Sequence, residues 1–318
     1  MRHHYGTIAH VGSPVTPPAQ ASAALLVMVV IWAVNFAVAK NALSHIDPLA
    51  FNALRFPLAA LVVLVTLRLR GHVPLPERRD VWKVLALGVL GNVLYQQLFI
   101  FGLANTRAGI ASVLLAGTPI VTTLLSAALG HERIGALVWT GVAASFAGIA
   151  LVVASGGTAD TGGAHTLLGD ALMIGATLAW AVYSVGSRPL VERYGSVAVT
   201  AWTLWSGTIG VCLIGLPAVL AADLSQLNWE VWAAIAYAGA LSIGLAYMIW
   251  YMGVRALGNT RTAAYSNLVP ALALLVAWLW LGEVPSPGQL VGAAVILGGV
   301  AMVQIAAQRT AAPAAQAG

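Results

Sequence analysis

The sequence predicts an all-α polytopic membrane protein, with ten transmembrane helices arranged as two inverted five-helix repeats. Three observations carry this. Charged residues make up 8% of the chain and hydrophobic residues 60%, with a mean hydropathy of +0.88. Ten apolar runs of about 20 residues, the length that crosses a bilayer core, follow one another with short connections. One phrase is written twice: Pro119 and Glu132 recur as Pro270 and Glu283, both at an offset of 151 residues.

The charge content decides the solvent. A soluble domain carries roughly 25% charged residues, because its surface must meet water. A chain of 318 residues at 8% cannot cover itself in that way, so most of its surface faces lipid. The single cysteine, Cys212, excludes an internal disulfide and a cysteine-based metal cluster. The net charge of +5 would suggest nucleic acid only if the basic residues gathered on one water-facing patch, and they are spread along the chain instead. His3, His4 and His10 lie in the N-terminal stretch and carry no metal-site expectation. There is no G-x-x-x-x-G-K-[ST], no H-E-x-x-H and no defensible Ser/His/Asp arrangement. ATP as direct driver, a cofactor and enzymatic activity are therefore not expected.

The elements follow in order. Residues 1–22 are rich in Pro, Ala and Ser and read as a disordered cytoplasmic N-terminus. The apolar runs lie near 24–41, 50–69, 84–103, 109–129 and 135–154, which make a first repeat over 23–155. The second repeat, over 164–306, holds runs near 167–187, 197–221, 231–253, 262–281 and 286–305, and 307–318 reads as a disordered cytoplasmic tail. Ala37-Val38-Ala39 resembles a signal-peptide cleavage site. Asn35 interrupts the apolar run before it, and the repeat needs this helix, so the segment is expected to stay.

The offset of 151 extends beyond the Pro/Glu phrase. Gly141 matches Gly292, Gly148 matches Gly299, Gln96 falls on Tyr247, Phe99 on Trp250 and Gly102 on Gly253. Earlier in each half the offset is 148, with Trp32 falling on Trp180 and Lys40 on Arg188. Five helices per half is an odd number, so the second half enters the membrane from the opposite side, as in many secondary transporters. Charge supports this. With both termini placed in the cytoplasm, twelve of the fifteen Lys and Arg residues fall in inside segments, and only Lys40 and Arg107 fall outside.

The stretch IWAVNFAVAKNALSHIDPLAFNALRF, with Trp32, Asn35, Lys40 and the Arg55-Phe56 pair, joins the helix count and the two Pro/Glu pairs. Together they resemble the EamA-domain permeases of the drug/metabolite transporter superfamily. The resemblance covers about residues 24–305. It implies a bacterial inner-membrane, multi-pass exporter or exchanger of small metabolites, with amino acids and related compounds the commonest assigned substrates. The expected partners are a small-molecule substrate and the lipid bilayer, with a homodimer left open.

Several residues stand out against blander readings. Pro119 and Pro270 inside apolar runs each remove a backbone hydrogen bond, and read as hinges beside a cavity or as packing kinks. Glu132 and Glu283, thirteen residues on, reach the membrane edges. They read mainly as ties at helices 4–5 and 9–10, next to the exposed N–H groups of the following helix; Ser286-Pro287 reads as a cap with proline at the first helical position. Arg55 is an intramembrane charge, and two readings stand level: it snorkels to the interface, or it anchors a substrate carboxylate.

Asn92, Tyr95 and Gln96 in helix 3 are polar groups at lipid depth and should point inward, with Phe99 on the Asn92–Gln96 face. Tyr247, Trp250 and Tyr251 in helix 8, Trp180 and Tyr183 in helix 6, Asn35 in helix 1 and Tyr265 in helix 9 complete a central aromatic cavity. The alternative is that the polar ones serve as interhelical glue. A proton-coupled carrier would show a deep acid. The ten acidic residues fall at helix ends or in loops, Asp170 being the deepest, which favours exchange down a gradient. An aromatic, mostly uncharged cavity suits amino acids or amphipathic organic molecules by alternating access. The alternatives are a nucleotide-sugar or phosphorylated-metabolite exchanger, which would want more cations, and a non-transporting receptor, scaffold or scramblase.

Overall fold

The computed structural model describes residues 17–70, 75–129, 135–155, 167–257, 262 and 265–311. We number the membrane helices in chain order. Helices α1 Pro18–Ala42, α2 Pro48–Arg70, α3 Arg78–Asn105, α4 Ala108–Ala128 and α5 Ala136–Ala154 form the first half. Helices α6 Leu167–Tyr194, α7 Ser196–Ala221, α8 Trp229–Leu257, α9 Leu268–Leu281 and α10 Pro287–Ala311 form the second. Among the described residues nine of these are long and apolar enough to span a bilayer, and α9 is a shorter apolar helix. Large apolar side chains stay exposed along them, such as Leu61, Leu69, Ile209, Leu213 and Leu220, as expected of a surface that lipid covers.

The ends differ from the hydropathy reading. Residues 18–22, expected to be disordered, are helical: Pro18 takes the first helical position, where its missing N–H costs nothing, and Ala21 is buried. At the other end α10 runs on through Ala311, into the expected tail. Apolar runs mark the membrane core and not the helix ends, so α6 likewise continues past residue 187, through Pro189, to Tyr194.

The packing has the symmetry expected of an inverted repeat. Helix α5 packs along α10, α2 along α7, and α4 along α9; each of these pairs maps onto itself when the halves are exchanged. Helix α3 packs along α6 as α8 does along α1, and α4 packs along α6 as α9 does along α1.

The α5–α10 seam gives the symmetry at atomic level. A Cβ on Gly141 would meet the Gly299 carbonyl oxygen at 2.7 Å, and one on Gly148 would meet that of Gly292 at 2.8 Å. These are reciprocal contacts between repeat-equivalent positions, running antiparallel. Between them Ser145 Oγ donates to the Ile296 carbonyl at 3.3 Å, across 151 residues, so Ser145 meets its own counterpart on the two-fold axis. Only glycine allows backbones this close.

Two features of the helices were not expected. Helices α3 and α8 each contain a π-helical segment, Val89–Leu94 and Tyr237–Leu245. The first maps onto the second at the repeat offset. Such segments insert one extra residue and often mark functional sites. Helix α4 breaks at Ala116-Gly117, and its second segment starts at Thr118; Asn267 makes the matching break before α9. Pro119 and Pro270 are therefore not mid-helix kinks. Each sits in the first turn of the segment after a break, where proline removes no helical hydrogen bond.

Candidate functional site

The two halves meet where α1, α2, α3, α6, α7 and α8 face one another, and most of the expected site residues converge there. Arg55 lies on α2 and is 1% exposed, so it does not snorkel. The helix turn places Asn52 three residues earlier on the same face, and Asn52 Oδ1 accepts from Arg55 Nε at 2.9 Å. From α3, Gln96 Oε1 accepts from a terminal guanidinium nitrogen of Arg55 at 2.8 Å. Asn52 Nδ2 in turn donates to the Gln96 carbonyl at 3.2 Å and to Gln97 Oε1 at 3.3 Å. The guanidinium carbon lies 5.2, 5.8 and 5.9 Å from the ring centres of Phe51, Phe56 and Phe99. No carboxylate pairs with Arg55 among the described residues.

Aromatic rings extend from this point along two chains. Phe36 stands 5.8 Å from Phe99, Phe99 6.1 Å from Tyr95, Tyr95 4.9 Å from Trp180, and Trp180 5.0 Å from Tyr183. In the second chain Trp32, the counterpart of Trp180, stands 5.8 Å from Trp250 and 6.4 Å from Tyr247 of the second half. The α8 π segment has a local role. Its Ser242 carbonyl accepts the Trp32 indole N–H at 2.9 Å, which fixes that ring.

Not every expected residue joins this group in the same way. Asn92 lies on the α7 side, where a Cβ on Gly207 would come within 2.3 Å of the Asn92 Cβ. Tyr265 is half-buried against the apolar core. Asn35 is buried, and its Oδ1 has no hydrogen-bond partner; the Nε2 of Gln97 is likewise unpartnered. The rings pack on one another. Two cavities lie elsewhere: one of about 490 Å³ among His45, Asp47, Asp223, Gln226 and Asn228, and an apolar one of about 300 Å³ bounded by Leu125, Leu129, Val182, Val185, Gly186 and Pro189. Asp223 is occupied at its rim. Its carboxylate accepts from the Ser225 hydroxyl and N–H, and these bonds hold its pKa below the usual carboxylate value.

Helix α7 supplies residues that the sequence reading missed. Thr203 Oγ1 and the Tyr183 hydroxyl are 3.0 Å apart, and Thr200 Oγ1 bonds the Tyr251 hydroxyl. The repeat could have found them, since the 148-residue offset carries Asn52 onto Thr200 and Arg55 onto Thr203. The structure respects that mapping: Gly88 packs on the Thr203 carbonyl as Gly239 packs on that of Arg55.

Glu283 has a different partner from the one expected. It caps the start of α4, accepting from Gly109 N at 3.3 Å and also bonding Ala108 N, and does not serve the following helix α10. Helix α10 has its own cap, with Gln289 N donating to Ser286 Oγ at 3.2 Å and Ser286 N to Gln289 Oε1 at 2.9 Å. The cause is Gly282. Its left-handed φ of 68° ends α9 and turns the chain toward α4. Burial pushes the Glu283 carboxyl above its ordinary pKa, while the α4 N–H groups, Lys40 and Arg107 oppose that shift. Glu132 lies outside the described residues. Asp170 is buried and accepts from Thr106 Oγ1 at 2.7 Å, at the turn between α3 and α4.

A further network was not anticipated at all. Buried Asp80 accepts from Tyr194 Oη at 2.8 Å, Arg193 at 2.9 Å and Lys83 at 3.2 Å, clamping the start of α3 to the end of α6.

The model of the EamA-like transporter family matches twice, at residues 20–154 and 167–305. A probable terminal-alkyne amino-acid exporter of Streptantibioticus cattleyicolor is 31% identical, over 88% of this chain and 92% of that protein. A probable amino-acid metabolite efflux pump of Salmonella typhimurium is 28% identical, over 86% of this chain and 91% of that protein. The uncharacterized transporter YdfC of Bacillus subtilis is 28% identical, over 86% and 87%. A crystal structure with 21% identity aligns at a TM-score of 0.64, covering 92% of this chain and 99% of that one, which speaks to the fold alone. The family and the relatives' names are those of transporters, not enzymes. This multi-pass membrane protein belongs to the EamA-like transporter family.

Proposed function

We propose that the protein exports or exchanges amino acids or related amphipathic organic compounds by alternating access around the Arg55 site. The observation that carries this is the pair of aromatic chains built on Trp32 and Trp180, each joining one half to the other and flanking buried amide and hydroxyl groups. Ring faces accept apolar or aromatic side chains. Amides and hydroxyls hold polar ends. Two relatives named for amino-acid export favour the same class of substrate.

The reciprocal packing of the halves suits a carrier whose two ends exchange conformations about one fixed site. In this reading both termini lie in the cytoplasm, on the positive-inside distribution of Lys and Arg, and the chain lies in the bacterial inner membrane, as its family resemblance implies. Asp170, held by Thr106 at a turn, reads as a structural carboxylate and not as a proton carrier. That favours exchange down a gradient over proton coupling.

The test is counterflow in proteoliposomes loaded with unlabelled amino acids, following a labelled neutral or aromatic one with no imposed gradient. Transient accumulation that disappears in Gln96→Ala/Tyr247→Ala supports the reading. Silence across a wide metabolite panel with folded protein removes it.

A further inference from the structure

We propose that Arg55 is the receptor for a substrate carboxylate, and that the cargo carries one acid group, which docks between α2 and α3. This rests on the transport reading above. It adds the chemistry that the site selects.

Consider what surrounds the charge. Arg55 is 1% exposed, and its protein partners, Asn52 Oδ1 and Gln96 Oε1, are neutral. Three phenylalanine rings approach the guanidinium carbon within 6 Å. Amides and ring faces soften the desolvation of a cation, but they do not neutralise it. A buried charge without a counter-ion is strongly unfavourable, and the usual remedies are pairing or escape to water. Neither is taken here. A guanidinium offers five N–H donors in a planar fork, two of them used by the amide partners, and a planar carboxylate is the anion that this fork fits.

One orphaned atom adds to this. Gln97 Nε2 is a buried donor without a partner, on a side chain whose Oε1 is tied to the same Asn52 that holds Arg55. A spare donor in this network suits the second oxygen of an acid. The repeat then sets a limit. The position equivalent to Arg55 is Thr203, so the other half of the site offers no second cation, and a single acid is what the charge balance accepts.

The experiment is equilibrium binding to the full chain in lipid nanodiscs, read by intrinsic tryptophan fluorescence. The probes are matched pairs that differ only in the carboxylate: L-phenylalanine with phenethylamine, and L-leucine with isoamylamine. Phenyl phosphate is included as a rival anion. The amino acids are expected to bind at least about 100-fold more tightly than their amines, the scale of losing hydrogen bonds to a charged group. Arg55→Gln should abolish that preference, and Arg55→Lys should retain part of it. Equal affinity for an amino acid and its amine in the wild type overturns the proposal, whether or not Arg55→Gln folds. So does tighter binding of phenyl phosphate, or an unchanged preference in folded Arg55→Gln. Silent counterflow in the wild type would instead remove the transport reading beneath it.

Discussion

Lys40 and Arg188 occupy the same place in the two halves, and the structure treats them differently. Lys40 Nζ reaches across from the end of α1 and donates to the Leu103 and Ala104 carbonyls at 3.0 and 2.8 Å, the last turn of α3. Glu283 and Arg107 join the same end, Glu283 on the start of α4 and Arg107 on the Val284 carbonyl at 3.0 Å. Arg188 makes no such reach among the described residues. Its side chain is 52% exposed and pairs with Glu192 of its own helix. The apolar gap of about 300 Å³ between α4 and α6 lies at this end; at the equivalent place by α1, Ala37 and Val38 are buried. The Lys40 contact is therefore not repeated at Arg188; that end is held instead by Asp80, which Arg193 and Tyr194 of α6 bond.

Mutations at equivalent positions test how far the halves differ. The seam comes first, because it should be equal in both halves. Gly148→Val and Gly299→Val each force a side chain into backbone. Each is expected to cost about 3 kcal/mol or more, since overpacking a tight contact already costs 1–3. Thermal unfolding in detergent should show similar losses, and a large inequality would break the symmetry argument. Lys40→Ala comes next, with an expected loss of about 1–3 kcal/mol from two hydrogen bonds to a charged donor.

Glu283→Gln should have a smaller effect, and its sign can be worked out. Burial raises the Glu283 pKa above its unfolded value. The stability tied to its proton is therefore present in full below the unfolded pKa and lost as pH rises through the folded one. Glu283→Gln should flatten the stability profile in the window just above the ordinary carboxylate range, as read by melting curves at stepped pH. Arg188→Ala should change unfolding by no more than about 0.5 kcal/mol, as for an exposed i,i+4 ion pair. A loss as large as that of Lys40→Ala would show that the two positions carry equal weight despite their different contacts.

Much of the architecture was legible because lipid and symmetry both write on the sequence. Scarcity of charge and run length marked the spans, and the glycine and tryptophan matches marked the seam and the two aromatic chains. Arg55, Gln96, Trp180 and Tyr247 were singled out because polar or charged groups at lipid depth must face inward. What was not legible depends on tertiary contact. The π segments add a residue with no change in hydropathy. Glu283 finds α4 only because Gly282 turns the chain there. Asp80 looks like a loop acid until α6 runs on to bring Arg193 and Tyr194 to it. Thr200 and Thr203 were within reach of the repeat offset, but threonine at lipid depth carries too weak a polar signal to draw notice.

The reciprocal contacts of the α5–α10 seam have a thermodynamic consequence. If every residue matched its counterpart as Gly141 and Gly148 match Gly292 and Gly299, the state open at one end and the state open at the other would have equal free energy in a symmetric bilayer. Matched pairs cannot favour either direction. Any resting preference must be encoded where the halves disagree, as at Lys40 against Arg188, Gln96 against Tyr247 and Arg55 against Thr203, and exchanging residues within such pairs tests which of them sets it.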